Sequence, residues 1–206
     1  MLSLRLKTVA SLITTKSIID VGCDHGYLDI YLTKKGIKCL ATDISCNALS
    51  YAINNFKKNN VEIDTICTDG LKNININKED TIVISGMGTD TIIKILSISI
   101  DNDLVISSNN HLDKLRRYVI SKGYYIDKEV FVIDNDKPYV IIKFKKGIVD
   151  YSEFDYIIGI NNDKYYLEYM LNKYNKILDS IPSRYNDKRN NYQKIIDEIN
   201  KRIVNV

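Results

Sequence analysis

Ile18-Ile19-Asp20-Val21-Gly22-Cys23-Asp24-His25-Gly26-Tyr27-Leu28 is a short apolar run that enters a glycine-containing turn and leaves as a helical pattern carried by Leu28 and Leu32. In an α/β domain this order puts a tight backbone loop at the carboxyl end of the first parallel strand, the edge where nucleotide-like ligands bind. Gly22 and Gly26 permit a sharp turn and a close backbone approach to a ligand. Asp43 closes the next apolar run, Cys39-Leu40-Ala41. A carboxylate there accepts hydrogen bonds from a ribose diol. Loop and acid together predict a nucleoside cofactor.

The identity of the loop residues narrows the choice. A dinucleotide fingerprint reads G-x-G-x-x-G and offers pyrophosphate a helix N-terminus. Here Asp24 takes the middle-glycine position, where its carboxylate repels phosphate and suits an amine or a sulfonium. S-adenosylmethionine therefore fits and a nicotinamide dinucleotide fits poorly. Asp20 agrees with the D/E-x-G-x-G-x-G pattern of S-adenosylmethionine-dependent methyltransferases, from which Asp24 departs. A glycine turn without any nucleotide is the plain alternative at this stage.

Composition bounds the rest. A chain of 206 residues suits one domain of about 150 residues plus an appendage. Hydrophobic residues make up 45% and charged residues 27%, an ordinary balance for a globular protein. No apolar run is long enough to cross a membrane, and the N-terminus carries no signal-peptide core, so a cytoplasmic protein is expected. Cys23, Cys39, Cys46 and Cys67 lack C-x-x-C spacing, and only His25 and His111 could join them. No metal site is expected, and the cysteines read as buried free thiols. Of 29 basic and 26 acidic residues, 9 and 6 lie beyond Gly159, which leaves 20 of each before it. The whole net charge of +3 thus sits in the C-terminal segment, as a solvated helix face or as a contact to a polyanion.

The pattern predicts strands near 17–22, 38–42, 61–66, 80–85 and 102–107, alternating with helices near 4–14, 26–35, 45–58, 89–98 and 111–122. Ser45 reads as an N-cap for the helix after Asp43. This alternation implies α/β architecture, a mostly parallel sheet covered on both faces. The rhythm then changes to an antiparallel hairpin, Glu129 to Asp134 and Tyr139 to Lys145, turning at Asn135-Asp136-Lys137-Pro138. Beyond it, Leu167, Leu171, Tyr174, Leu178, Ile181 and Tyr185 keep a 4-3 spacing that Tyr192, Ile199 and Ile203 continue. Two antiparallel helices, about 163–180 and 183–204, are expected, with Pro182 near the start of the second. The domains read as 1–159 and 160–206.

Three further segments fall at strand ends. Asp69-Gly70 follows the third, where a carboxylate can accept a bond from an adenine amino group. Ser85-Gly86-Met87-Gly88 ends the fourth, and Asn109 lies just past the fifth. Together with Ser3-Leu4-Arg5-Leu6, Asp20 to Leu28, Asp69-Gly70-Leu71 and Leu115-Arg116-Arg117 to Lys143, these segments resemble the bacterial tRNA (adenine-22-N1)-methyltransferase family. Its pattern runs D-I-G-x-D-H-A-Y-L, D-G-L and I-A-G-M-G-G.

The resemblance covers essentially the whole chain. It implies a Rossmann-like methyltransferase domain and a helical, coiled-coil-like appendage that helps hold tRNA, with S-adenosylmethionine as cofactor and no membrane partner. The implied cofactor residues are Asp20, Gly22, Asp24, His25, Gly26, Asp43, Ile44, Asp69, Gly70, Ser85, Gly86 and Met87. At the reacting base the candidates are Asp24, Tyr27 and Asn109, and for tRNA phosphates Arg5, Arg116, Lys173, Lys188, Arg189 and Arg202. Three positions depart from the family. Gly26 replaces an alanine and is expected to loosen the helix entry. Thr89 stands for a second glycine, and Ser107-Ser108-Asn109 stands for Gln-Pro-Asn, both beside the expected base pocket. A methyltransferase for another RNA or a small molecule, or a non-catalytic RNA-binding module, remains an alternative. The pattern fixes no oligomeric state, and a monomer is favoured.

Overall fold

The computed structural model describes residues 2–206. Its elements run α1 (Leu4–Leu12), β1 (Ser17–Val21), α2 (Tyr27–Thr33), β2 (Lys38–Asp43), α3 (Cys46–Lys58), β3 (Asp64–Cys67) and β4 (Asp80–Met87). They continue with α4 (Thr89–Ile95), β5 (Leu104–Ser108), α5 (Leu112–Ser121), β6 (Tyr124–Asp134) and β7 (Lys137–Lys146). Three helices follow, α6 (Glu153–Ile157), α7 (Lys164–Ser180) and α8 (Asn186–Val204). The strands form one sheet of seven in the order β3-β2-β1-β4-β5-β7-β6. β1 to β5 pair in parallel, and β7 enters antiparallel to β5 and β6. The order steps from β1 to β3 on one side and restarts at β4 on the other. That reversal opens a crevice at the carboxyl ends of β1 and β4.

Strand alternation builds the two covering layers. Ile18, Cys39, Val83, Val105 and Ile141 share one face and pack with Val9 and Leu12 of α1 and Leu28 and Leu32 of α2. The opposite face carries Ile19, Ile82, Ile84, Leu104 and Ile106, all essentially excluded from water. Each such side chain contributes about 1.5–3 kcal/mol on burial. Both faces of the central strands are therefore apolar, as a parallel sheet under two helical layers requires. Ser45 caps α3 as expected, its hydroxyl accepting from the Ala48 amide.

The hairpin differs from its expected form. β6 begins at Tyr124, ahead of the expected Glu129, and its ladder skips a residue between Ile126 and Lys128. This bulge interrupts the alternation that marks a strand. The turn is tighter too. Asn135 and Asp136 alone span it, both at positive φ, as a two-residue hairpin needs. Pro138 lies on β7, in a part that pairs only with β6, so its missing N–H costs no bond to β5.

The chain divides into two compact units, one ending at Ile148 and the other spanning Val149–Val206. The division falls ahead of the expected 159/160 because α6 belongs to the second unit. Ser152 and Asp155 start that short helix with a reciprocal capping box, too brief to leave a hydrophobic period. Within the second unit α7 and α8 pack together, and Tyr174 and Tyr192 face each other at 6.0 Å between ring centroids. Their buried residues include Leu167 and Ile199 from the expected seam, joined by Tyr166, Met170 and Ile196, and Ile181 is buried just past the end of α7. Pro182 sits in the connection before α8, where its carbonyl accepts from the Tyr185 amide. Among the described residues no helix is long and apolar enough to cross a membrane.

Candidate active site

The loop after β1 is stitched to the end of β2. The amides of Gly22 and Cys23 both donate to the Thr42 carbonyl, at 2.8 and 2.9 Å. The Asp43 carboxylate then accepts from two directions, from the Asp24 amide at 3.3 Å and the Ser45 amide at 2.8 Å. Asp43 thus ties the glycine loop to the start of α3 and retains lone pairs toward the crevice. Gly22 and Gly26 have φ of +80° and +68°, and Asp24 between them is also left-handed. At Gly26 a Cβ would lie 2.3 Å from the Phe56 ring, which is itself buried. The glycine therefore leaves room for the Phe56 ring at the start of α2.

Beside this loop opens a cleft of about 400 Å3. It brings together Gly22, Asp43, Ile44, Asp69, Gly70 and Met87 from four separate strand ends. Asp24 and His25 are exposed on the glycine loop, the His25 Nε2 at 3.8 Å from the Asp24 carboxylate. The wall supplied by α4, with Thr91 and Ile95, was not among the expected contacts. Their four-residue spacing on a short helix was the available signal. Ile44 is 70% exposed and Tyr27 55%, an unusual display of apolar surface beside polar loops. The His25 ring stands 5.7 Å from Tyr27 and 6.4 Å from Tyr51, centroid to centroid.

Asp20 does not line this cleft. It is buried beneath the glycine loop, facing Asp29 of α2, which is 0% exposed. Both carboxyls are acceptors when ionised, so neither can bond the other until one carries a proton. Burial pushes Asp20 up to about 6, the Asp43 charge adds to the rise, and Asp29 and Arg5 oppose it. Asp29 is pushed well above the usual carboxylate range by burial and by Asp20. Both values exceed the unfolded carboxyl value of 3.8. The folded state therefore holds protons that the unfolded chain has released. Stability from the pair is present at low pH and is lost as pH rises from about 4 through 6 and beyond. Asp29→Asn supplies a permanent N–H donor to Asp20. We expect this variant to melt higher than the wild type at pH 8 and to gain less at pH 5. Parallel melting profiles for the two proteins would contradict this proton sharing.

The far end of the crevice is made by the fourth and fifth strands. The β4–β5 register shifts between Ser85 and Met87, which turns Gly86 outward at a φ of +94°. The Asn109 backbone amide donates to the Met87 carbonyl at 2.9 Å, and its side-chain amide donates to the Gly86 carbonyl at 2.8 Å. Arg5 of α1 braces the same loop from below. Its Nη1 donates to Ser85 Oγ at 2.7 Å while its guanidinium lies 5.3 Å from the Tyr139 ring centroid. Arg5 is thus a support for the loop and not a free phosphate ligand.

Other basic candidates are also committed inside the protein. Arg116 is 0% exposed and pairs with the equally buried Glu129 at 2.6 Å. This corrects its expected contact with RNA. Arg189 donates to the Leu178 and Ile181 carbonyls, capping the end of α7. Arg202 is held by Asp155, Glu198 and the Gly159 carbonyl. Neither is available as a simple phosphate contact, whereas Lys173 and Lys188 are exposed, the Lys173 Nζ 5.8 Å from the Tyr174 ring centroid. The cysteines need one correction. Cys23 and Cys39 are buried free thiols as expected, but Cys46 and Cys67 form a disulfide. It joins the start of α3 to the end of β3, beside the two loops that carry Asp43 and Asp69. No metal-binding group of three or more acidic, His or Cys side chains occurs among the described residues.

A seven-stranded sheet of this order, with a glycine loop after β1, an acid at the end of β2 and a facing β4 loop, defines the methyltransferase class of Rossmann-like domains. Comparison with known proteins agrees. Residues 2–142 match the family described as a methyltransferase domain. A putative tRNA methyltransferase of Mycoplasma genitalium is 35% identical over 152 residues, 69% of each chain. The solved TrmK of M. capricolum, in complex with S-adenosyl-homocysteine, is 32% identical with a TM-score of 0.83 over 98% of both chains. A Streptococcus pneumoniae protein described as a putative tRNA (m1A22) methyltransferase is 25% identical, with a TM-score of 0.85 over 98% of this chain and all of its own. The chain belongs to the methyltransferase-domain family and, within it, to the TrmK tRNA methyltransferases.

Proposed function

We propose that this enzyme transfers a methyl group from S-adenosylmethionine to N1 of an adenine in tRNA, at position 22. The observation that carries the reading is the single cleft in which Asp43, Asp69-Gly70 and Met87 meet the glycine loop. Its donor set fits an adenosine. Asp43 accepts from the ribose hydroxyls, and Asp69 offers a carboxylate to the adenine amino group. The likeness to TrmK runs the full length of the chain, which supports tRNA as substrate over a small molecule.

S-adenosylmethionine supplies an electrophilic methyl group on a sulfonium. Adenine N1 carries a free lone pair, so no general base is needed to unmask the nucleophile. The protein's work is alignment and exclusion of water, which lowers such barriers by several kcal/mol. Asp24, with Gly22, His25 and Gly26, borders the methionine end. Its carboxylate favours positive charge there. Ser85, Gly86 and Met87 form the wall at the reacting end, with Asn109 held against them. N1 lies on the Watson–Crick edge, so the base is turned out of the tRNA to reach this site. Tyr27 is exposed beside His25 and suits stacking on it.

Lys173 and Lys188 are the remaining phosphate ligands of the expected set. Binding of tRNA should then weaken with added salt, as counterion release demands. A cytoplasmic enzyme acting as a monomer completes the proposal. Incubation with labelled cofactor and an unmodified tRNA, followed by digestion to nucleosides, tests it. Label recovered as 1-methyladenosine is expected. Label in another nucleoside, or none despite cofactor binding, would overturn the assignment.

A further inference from the structure

Two buried hydroxyls stand behind the reacting end of the site. Thr89 opens α4 and is fully buried, and Ser108 closes β5 with 5% exposure. Their oxygens are 2.8 Å apart. Thr89 Oγ1 also lies 2.6 Å from the Asn110 carbonyl, while its amide donates to the Asn110 side chain at 2.9 Å. Ser108 Oγ accepts from the Asn110 amide at 3.4 Å.

Each hydroxyl has one proton, which restricts how these bonds are shared. The Thr89 hydroxyl donates to the Asn110 carbonyl, its shortest contact. Ser108 Oγ, with its one proton, lies 2.8 Å from Thr89 Oγ1 and 3.0 Å from the Asn110 carbonyl, and the Asn110 amide donates to it. Every polar atom in this chain of bonds is satisfied, as burial requires. Asn110 is thereby held on both its peptide groups and its side chain.

That arrangement has a consequence for the neighbouring residue. Asn109 is fixed at its own amide by Met87 and at its side chain by Gly86. The group facing the Gly86 carbonyl must be the NH2, because a carbonyl can only accept. The Asn109 Oδ1 is then the other end of the amide and acts as an acceptor. An acceptor suits the 6-amino group of adenine and opposes the 6-oxo group of guanine.

We propose that Thr89 and Ser108 are a coupled pair of positioning residues that hold the Asn109 amide in the orientation that selects adenine. The inference rests on the methyl-transfer reading above.

Thr89→Val removes the hydroxyl while keeping the side-chain shape, Thr89→Ser keeps the hydroxyl, and Ser108→Ala removes its partner. Loss of alignment on the order of an ångström costs about 100-fold in rate. Thr89→Val and Ser108→Ala are expected to lower kcat for tRNA by about 10- to 100-fold. Binding of S-adenosylmethionine should stay within about twofold, since neither residue lines the cleft. Thr89→Ser should retain most activity, and the double variant should lose little more than the worse single one.

A second readout needs no tRNA. The Asn109 side-chain amide should give shifted, exchange-protected NMR signals in the wild type and in Thr89→Ser. Those signals should collapse in the other two variants. Unchanged Asn109 signals, multiplicative losses, or equal weakening of cofactor binding would overturn the proposal. If the wild type itself methylated no tRNA, the functional reading would fall while the NMR result still judged the hydroxyl pair.

Discussion

Replacing Asp43 by alanine is expected to weaken S-adenosylmethionine binding by about 100-fold or more. Hydrogen bonds to a charged group contribute about 1.5–3 kcal/mol each, and a ribose diol offers two. The substitution also releases the Asp24 and Ser45 amides, which Asp43 holds in the free protein. The glycine loop would lose its tie to α3 as well as its ligand contact. Asp43→Asn keeps the side-chain length but loses the charge, so it should fall between the two. Calorimetric titration with cofactor measures this directly. An affinity within about threefold of the wild type would remove Asp43 from the ribose site, since one lost charged bond already exceeds that.

The second large effect is on stability. Glu129→Ala leaves the Arg116 guanidinium buried without its carboxylate partner, in a site where both side chains are at most 1% exposed. Breaking a buried pair on one side costs about 3–5 kcal/mol. At about 2–4 °C per kcal/mol for a chain of this size, the melting temperature should fall by about 6–20 °C. Arg116→Ala should cost a comparable amount, whereas Lys173→Ala on the exposed face of α7 should change melting by less than about 2 °C. A loss of tRNA affinity in Arg116→Ala with unaltered melting would restore Arg116 to the RNA surface.

Much of this architecture is legible in the amino-acid sequence. The apolar run at Ile18–Val21, its glycine turn and Asp43 depend on local chemistry, and local chemistry is written in sequence order. Strand β1, its loop and the acid at the end of β2 therefore lie where the sequence places them. So does the C-terminal hairpin, because Asn135-Asp136 tolerates the positive φ of a tight turn. The bulge between Ile126 and Lys128 was hidden, since one skipped residue shifts the alternation that marks a strand.

Side chains whose partners are distant in sequence were misread. Arg116 resembles any surface arginine until β6 brings Glu129 to it. Arg189 and Arg202 looked like phosphate ligands because a helix face shows charge without showing what the next helix offers. Cys46 and Cys67 carry no spacing signal, as they meet only where β3 pairs beside β2. The link between Thr89 and Ser108 was equally invisible. Each read as an isolated departure, and only the folded loops show that one hydroxyl answers the other.

The most direct measurement of the central claim is methyl transfer to two tRNA transcripts that differ only at position 22, one with adenine and one with guanine. The account predicts label in the adenine transcript alone, recovered as 1-methyladenosine at that position. Equal labelling of both transcripts, or label confined to another nucleotide, would contradict it.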